Sequence, residues 1–199
     1  MLSTFNEYQA IKEDLVRKGF TKSKDPFTLF HPQFKVAIDV LPFGPIEEDD
    51  TVNFNEQEIL MNALGFKETL SNSEAINIDS TFSIRVPPLH GMVVLKLISW
   101  SDRPEVRAND LEDIYRIISH YYEIESDALF EKHSDLLKAE GFDEKLIAAR
   151  IMGRNIAGIL TKSGKLKDRI LEVLVSNAET AEKSPIGKYW AARHGIEVD

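Results

Sequence analysis

The Pro87-Pro88 pair is the strongest constraint on this chain. A proline has no amide proton, and it pushes the residue before it towards extended backbone. No regular element runs through such a pair unbroken. The hydrophobic pattern changes there too. Upstream, short stretches alternate with a period of two, and downstream the apolar residues recur at helical spacing. The expected fold is therefore α+β: residues 1–86 as a sheet-bearing domain with helices, and residues 87–199 as a helical domain.

Within the first part, Phe5, Tyr8, Ile11, Leu15 and Val16 predict an amphipathic helix over 5–18 that stops at Gly19. Thr28–His31 and Phe34–Phe43 read as strands joined at His31-Pro32-Gln33. Glu47–Asn55 reads as a solvated acidic loop, and Glu56–Leu64 as a short helix closed by Gly65. Glu74–Ile78 and Thr81–Val86 read as a second hairpin around Asp79-Ser80.

In the second part, Leu89–Trp100 is apolar on nearly every side, the pattern of a buried helix. Asn109 is expected to cap the next helix, with Glu112 at the capping-box position. Further helices are expected at 126–140, 143–161, 166–182 and 186–194.

Composition removes several classes of chemistry. The chain of 199 residues has no cysteine, so a disulfide scaffold, a thiolate zinc site and a cysteine nucleophile are excluded. The net charge of −9 argues against a surface built for broad nucleic-acid binding. The longest apolar run, 91–100, is interrupted by Lys96 and too short to span a bilayer, and the N-terminus has no apolar signal core. No membrane association and a cytoplasmic location are expected. The histidines, at 31, 90, 120, 133 and 194, show no metal-ligand spacing. No Gly-rich phosphate loop follows a strand, and no G-x-S-x-G elbow is present.

A few charged residues stand where apolar ones would be expected. Asp39 interrupts an apolar strand, where a carboxylate is costly unless paired, hydrogen-bonded or bound to a metal. A place on the solvated face beside Lys35 is the competing reading. Lys96 falls between Leu89, Met92, Val93 and Trp100 on a helical wheel, so it either snorkels or meets an anion. Arg103 follows two helical turns later and can share its side. Asp110 and Asp113 are one turn apart on the next helix. Acids for a cation and bases for phosphates would suit a nucleotide site. Arg150 and Arg154, one turn apart, could extend a basic cleft or stand in solvent.

Three ordered segments carry a resemblance: Val36-Ala-Ile-Asp-Val-Leu-Pro-Phe-Gly-Pro-Ile-Glu47, Val86–Arg103 with its Lys-Leu and downstream Arg, and Ala108-Asn-Asp-Leu-Glu-Asp-Ile-Tyr115. From about Phe5 to Tyr122 the chain resembles the AbiEii toxin-like nucleotidyltransferases of the polymerase-β superfamily. The resemblance implies a partial nucleotidyltransferase-type mixed sheet followed by helices. It implies transfer of a nucleotide from an NTP to an RNA, protein or small-molecule acceptor, with Mg²⁺ as cofactor, and a setting among toxin–antitoxin systems. Carried over residue by residue, Asp39 would be a catalytic carboxylate and metal ligand. Lys96 would be catalytic and, with Arg103, would contact the triphosphate. Asp110 would act in catalysis, and Asp113 would support nucleotide binding.

The family's opening Gly-Ser or Gly-Ala turn and its Asp-x-Asp pair are not found upstream of Asp39. The chain is thus expected to begin inside the fold, with a metal site short of charge. An open sheet edge would then invite a homodimer or a partner chain that completes the sheet. The alternative is a degenerate, non-catalytic module that binds nucleotide or protein.

Overall fold

The computed structural model describes residues 4–54, 59–138, 142–178 and 183–195. The fold is α+β, in two compact units, Met1–Lys67 and Glu68–Asp199. Every strand pairing among the described residues is antiparallel, in three small sheets, in place of the mixed sheet expected.

The first unit opens with α1 (Phe5–Arg17), started by a reciprocal capping box. The Glu7 amide donates to Thr4 Oγ1 at 3.2 Å and the Thr4 amide to the Glu7 carboxylate at 3.1 Å. Gly19 ends the helix region at φ +100°, where a Cβ would stand 3.0 Å from His31 Nε2. Backbone conformation and space both favour glycine there. The sheet that follows has the order β1 (Thr21–Lys22), β2 (Thr28–His31), β3 (Val36–Asp39). Leu29 faces Ile38 and His31 faces Val36 across β2 and β3, with Leu29 and His31 buried.

A second hairpin pairs β4 (Thr51–Phe54) with β5 (Ile59–Asn62). This corrects two expectations. The acidic stretch runs into a strand after a tight turn, with Glu48 and Thr51 bonded in both directions around Asp49-Asp50. Residues 59–62 are extended and not helical, while residues 55–58 lie outside the described residues. The cause is packing. Val52 and Phe54 point into a core with Tyr8 and Ala63, and Ile59 and Met61 close over it. Tyr8 and Phe54 meet edge-on with ring centroids 5.7 Å apart, an arrangement worth about 0.5–1.5 kcal/mol beyond burial. Glu47 is no solvated loop residue either. Its carboxylate accepts from the Gly44 amide and pairs with Lys67 at 2.9 Å, with a side chain only 2% exposed.

The second unit begins with α2 (Phe66–Leu70), whose first residues fall in the first unit, and the hairpin β6 (Glu74–Asn77) and β7 (Ser83–Val86). The helices follow: α3 (Leu89–Asp102), α4 (Ala108–Ile124), α5 (Ser126–Lys132), a 3₁₀ turn (Ser134–Lys138), α6 (Glu144–Leu160), α7 (Gly164–Ala178) and α8 (Pro185–His194).

Helix α3 is the buried centre expected from its composition, with Val93, Val94, Leu97, Ile98 and Trp100 inside. It packs against α4, α6 and α7. Helix α4 starts one residue before Asn109, with Arg107 at its N-cap and no side-chain cap, so the predicted capping box does not form. Among the described residues, no helix is long and apolar enough to cross a membrane.

Candidate functional site

The second unit gathers three of the singled-out residues into one network. Lys96 sits mid-way along α3, on the side that meets the start of α4. Helical spacing turns Asp110 and Asp113, three residues apart, towards that same side. The Lys96 ammonium donates to Asp113 at 2.6 Å and to Asp110 at 3.1 Å. The Lys96 side chain is 22% exposed, that of Asp110 11% and that of Asp113 47%, so the network runs from interior to solvent.

Burial pulls the Lys96 pKa down, but the hydrogen bonds and charges of Asp113 and Asp110 together outweigh it and leave the ammonium stabilised. The second Asp110 oxygen, Oδ2, is buried and has no hydrogen-bond partner among the described residues, which is unusual for a carboxylate. An ammonium has three N–H donors and two are used here, so one remains for a further acceptor.

Lys96 is thus neither a snorkelling residue nor a bare cation. It is the hub of an ion cluster whose own sum is one negative charge. An anion would need positive charge from nearby, and the α3–α4 turn supplies it. Arg103 follows the end of α3 with φ −145°, so it leaves the helical path and does not simply extend the Lys96 side of the wheel. The turn winds on through bonds from the Val106 and Arg107 amides to the Arg103 carbonyl. Arg103 is exposed and Arg107 half-buried, and neither guanidinium has an ion pair or hydrogen bond among the described residues. Sequence reasoning missed Arg107. Its signal was available, four residues after Arg103 and just before the paired aspartates.

Asp39 belongs to the first unit. It ends β3 opposite Thr28, is exposed, and accepts a 2.6 Å hydrogen bond from the Thr28 hydroxyl. Among the described residues no three His, Asp or Glu side chains gather to hold a metal ion. A single exposed carboxylate does not fit a two-metal centre, which needs several oxygen ligands per ion. No chemical step through Mg²⁺ is therefore derived.

The secondary candidates have other roles. Arg154 forms a fork with the Asp135 carboxylate, with one arm at 2.8 Å, and lies 3.2 Å from His133. That bond from Arg154 holds the Asp135 carboxyl low, at about 2. Arg150 is exposed. No protein-family model matches the chain, and no curated protein or solved structure matches it.

Proposed function

We propose that the chain is a nucleotide-binding protein of nucleotidyltransferase type, in which the α3–α4 region receives the phosphates of an NTP. The carrying observation is the Lys96 ammonium, fixed by Asp110 and Asp113 with one N–H left over, on a helix that leads into a turn with two uncommitted guanidiniums. Arginine forks suit phosphate oxygens, and a fixed lysine offers a point charge. The order Asp39, Lys96, Arg103, Asp110, Asp113 and the family resemblance of those segments support the same reading.

Transfer of the nucleotide to an RNA or protein acceptor, with Mg²⁺, is the full activity this reading implies, and it goes with a cytoplasmic protein. Binding without transfer is the second reading. The observation that favours it is the shortage of metal ligands around Asp39.

Association is part of the proposal. The β6–β7 hairpin places Ile76, Ile84, Ile78 and Phe82 on one face, each between 39% and 58% exposed. Among the described residues its strands pair only with each other, which leaves both edges available to a strand from a second copy.

Thermal unfolding with each of the four Mg-NTPs tests the nucleotide reading. A ligand at 100 times its Kd stabilises the folded state by about 2.7 kcal/mol, a shift of several degrees. A rise with at least one nucleotide is expected. An unchanged Tm with all four at millimolar concentration would overturn it.

A further inference from the structure

The three-stranded sheet of the first unit has two edges, and they differ. β1 is two residues long and carries Lys22, features that blunt an edge. β3 is the other edge, and from Val36 to Ile38 it has neither a charge nor a proline. Among the described residues no strand pairs with its outer side. Val36, Ala37 and Asp39 are exposed, Val36 at 47%, and Ile38 is half-buried.

The register with β2 shows what that edge offers. The Val40 amide donates to the Phe27 carbonyl at 2.8 Å, Ile38 lies opposite Leu29, and Val36 lies opposite His31. Main-chain groups of successive residues in an antiparallel strand turn alternately to its two sides. Val36, Ile38 and Val40 therefore turn theirs inwards to the neighbouring strand, and Ala37 and Asp39 turn theirs to the open side. Side chains alternate between the faces of the sheet. Val36 and Ile38 share the face of buried Leu29 and His31, while Ala37 and Asp39 share the face of Thr28 and Phe30.

We propose that β3 pairs antiparallel with β3 of a second copy, about a two-fold axis through Ala37. The segment Lys35-Val-Ala-Ile-Asp39 is complementary to itself in that register. Ala37 meets the second copy's Ala37, and their outward amides and carbonyls bond to each other. Val36 meets Ile38, and Lys35 meets Asp39, each contact occurring twice by symmetry. Directly opposed β-branched pairs and opposite charges both favour pairing. A shift of one residue would bring inward-turned main-chain groups to the seam and mismatch the two faces. A shift of two opposes Lys35 to Leu41 or to Ala37 and loses both ion pairs.

Both charged groups are placed for this contact. Lys35 is exposed, and its ammonium has no ion pair or hydrogen bond among the described residues. It ends the turn at φ +54°, and its flexible four-carbon stem lets the ammonium reach along the edge. Asp39 accepts one bond from the Thr28 hydroxyl at 2.6 Å, and a carboxylate has room for further donors. The product is one continuous antiparallel sheet with three strands from each copy. This contact lies in the first unit, apart from the β6–β7 hairpin of the second, and it requires no nucleotide.

Cross-linking of the full chain tests the register. The chain has no cysteine, so Ala37→Cys introduces a single thiol. On the axis the two Cα atoms would stand about 5.5 Å apart, within disulfide reach. Mild oxidation should give a covalent dimer with Ala37→Cys and little with Val36→Cys, whose two copies lie diagonally across the seam. The cross-link should persist when Phe82→Ser and Ile78→Ser are added. Light scattering provides the second arm. Lys35→Glu and Asp39→Lys each oppose like charges twice, so each should weaken association several-fold. An equimolar mixture of the two should recover it, because positions 35 and 39 then carry opposite signs across the seam. Absence of the Ala37→Cys dimer, equal cross-linking of Val36→Cys, or loss of the cross-link with the hairpin substitutions would overturn the proposal. So would charge variants that associate like the wild type, or that stay apart when mixed.

Discussion

Lys96 on α3 and Asp110 on α4 are held 3.1 Å apart, and the far oxygen of Asp110 is buried without a partner. Among the described residues, the cation is thus the only side-chain group compensating a carboxylate that the fold has removed from water. Removing it should be costly. Lys96→Ala is expected to lower unfolding free energy by about 2–4 kcal/mol, less than a fully buried pair because Asp113 reaches solvent. Lys96→Met combined with Asp110→Leu should recover most of that loss. Urea unfolding of the three proteins checks both values, and an undiminished midpoint in Lys96→Ala would show that the cluster carries no stability.

The same cluster makes the protein sensitive to alkali. The folded-state pKa of Lys96 is raised, so its contribution is complete below the unfolded lysine value near 10.5 and is lost as pH rises past it. Tyr8 and Tyr121, both pushed up to about 12 chiefly by burial, act in the same direction from about pH 10. Stability measured by urea unfolding should therefore fall between about pH 10 and 12. The fall should be shallower in Lys96→Met.

Gly91 is a packing glycine. A Cβ there would come within 2.5 Å of Thr69 Cγ2, and Thr69 is fully buried. Gly91→Ala should destabilise by about 1–3 kcal/mol through overpacking, despite alanine's better helix propensity. Thr69→Ser, which deletes the clashing methyl, should restore much of the loss in the double variant. Calorimetric Tm values of the single and double variants measure it.

The open hairpin predicts weak self-association. Light scattering at rising protein concentration should show an increasing mean mass, reduced by Phe82→Ser with Ile78→Ser. Both substituted residues are more than half exposed, so the fold should tolerate them. A constant monomer mass at high concentration would remove the dimer from the account.

Helices α1, α3, α4, α6, α7 and α8 and the β6–β7 hairpin were legible because their periodicity is local and unbroken, whereas α2 was not read and the helix expected over 126–140 breaks at His133 into α5 and a 3₁₀ turn. The β4–β5 hairpin was not. Glu56-Gln-Glu-Ile-Leu-Met-Asn-Ala-Leu64 is rich in strong helix formers, and four extended residues are too few to outweigh that composition. Core packing around Tyr8 decides the matter, and Tyr8 is distant in sequence.

At the site, the ordered set of charges was readable, yet the pairing of Lys96 with both aspartates depends on how α3 meets α4. That geometry turns on where α4 begins. The Arg103–Arg107 turn winds directly into the helix, so Asn109 becomes its second residue, past the cap position, and Asp110 turns inward.

The central claim is that the α3–α4 region binds nucleotide phosphates, and calorimetric titration of the wild type and Arg103→Ala with Mg-NTP tests it most directly. Arg103 is exposed and its guanidinium has no partner among the described residues, so its loss should leave folding unchanged. The account predicts measurable heat with the wild type and a Kd weakened about tenfold or more in Arg103→Ala, the size of one lost charge-assisted hydrogen bond. Absence of binding by the wild type, or equal binding by Arg103→Ala and Lys96→Met, would contradict it.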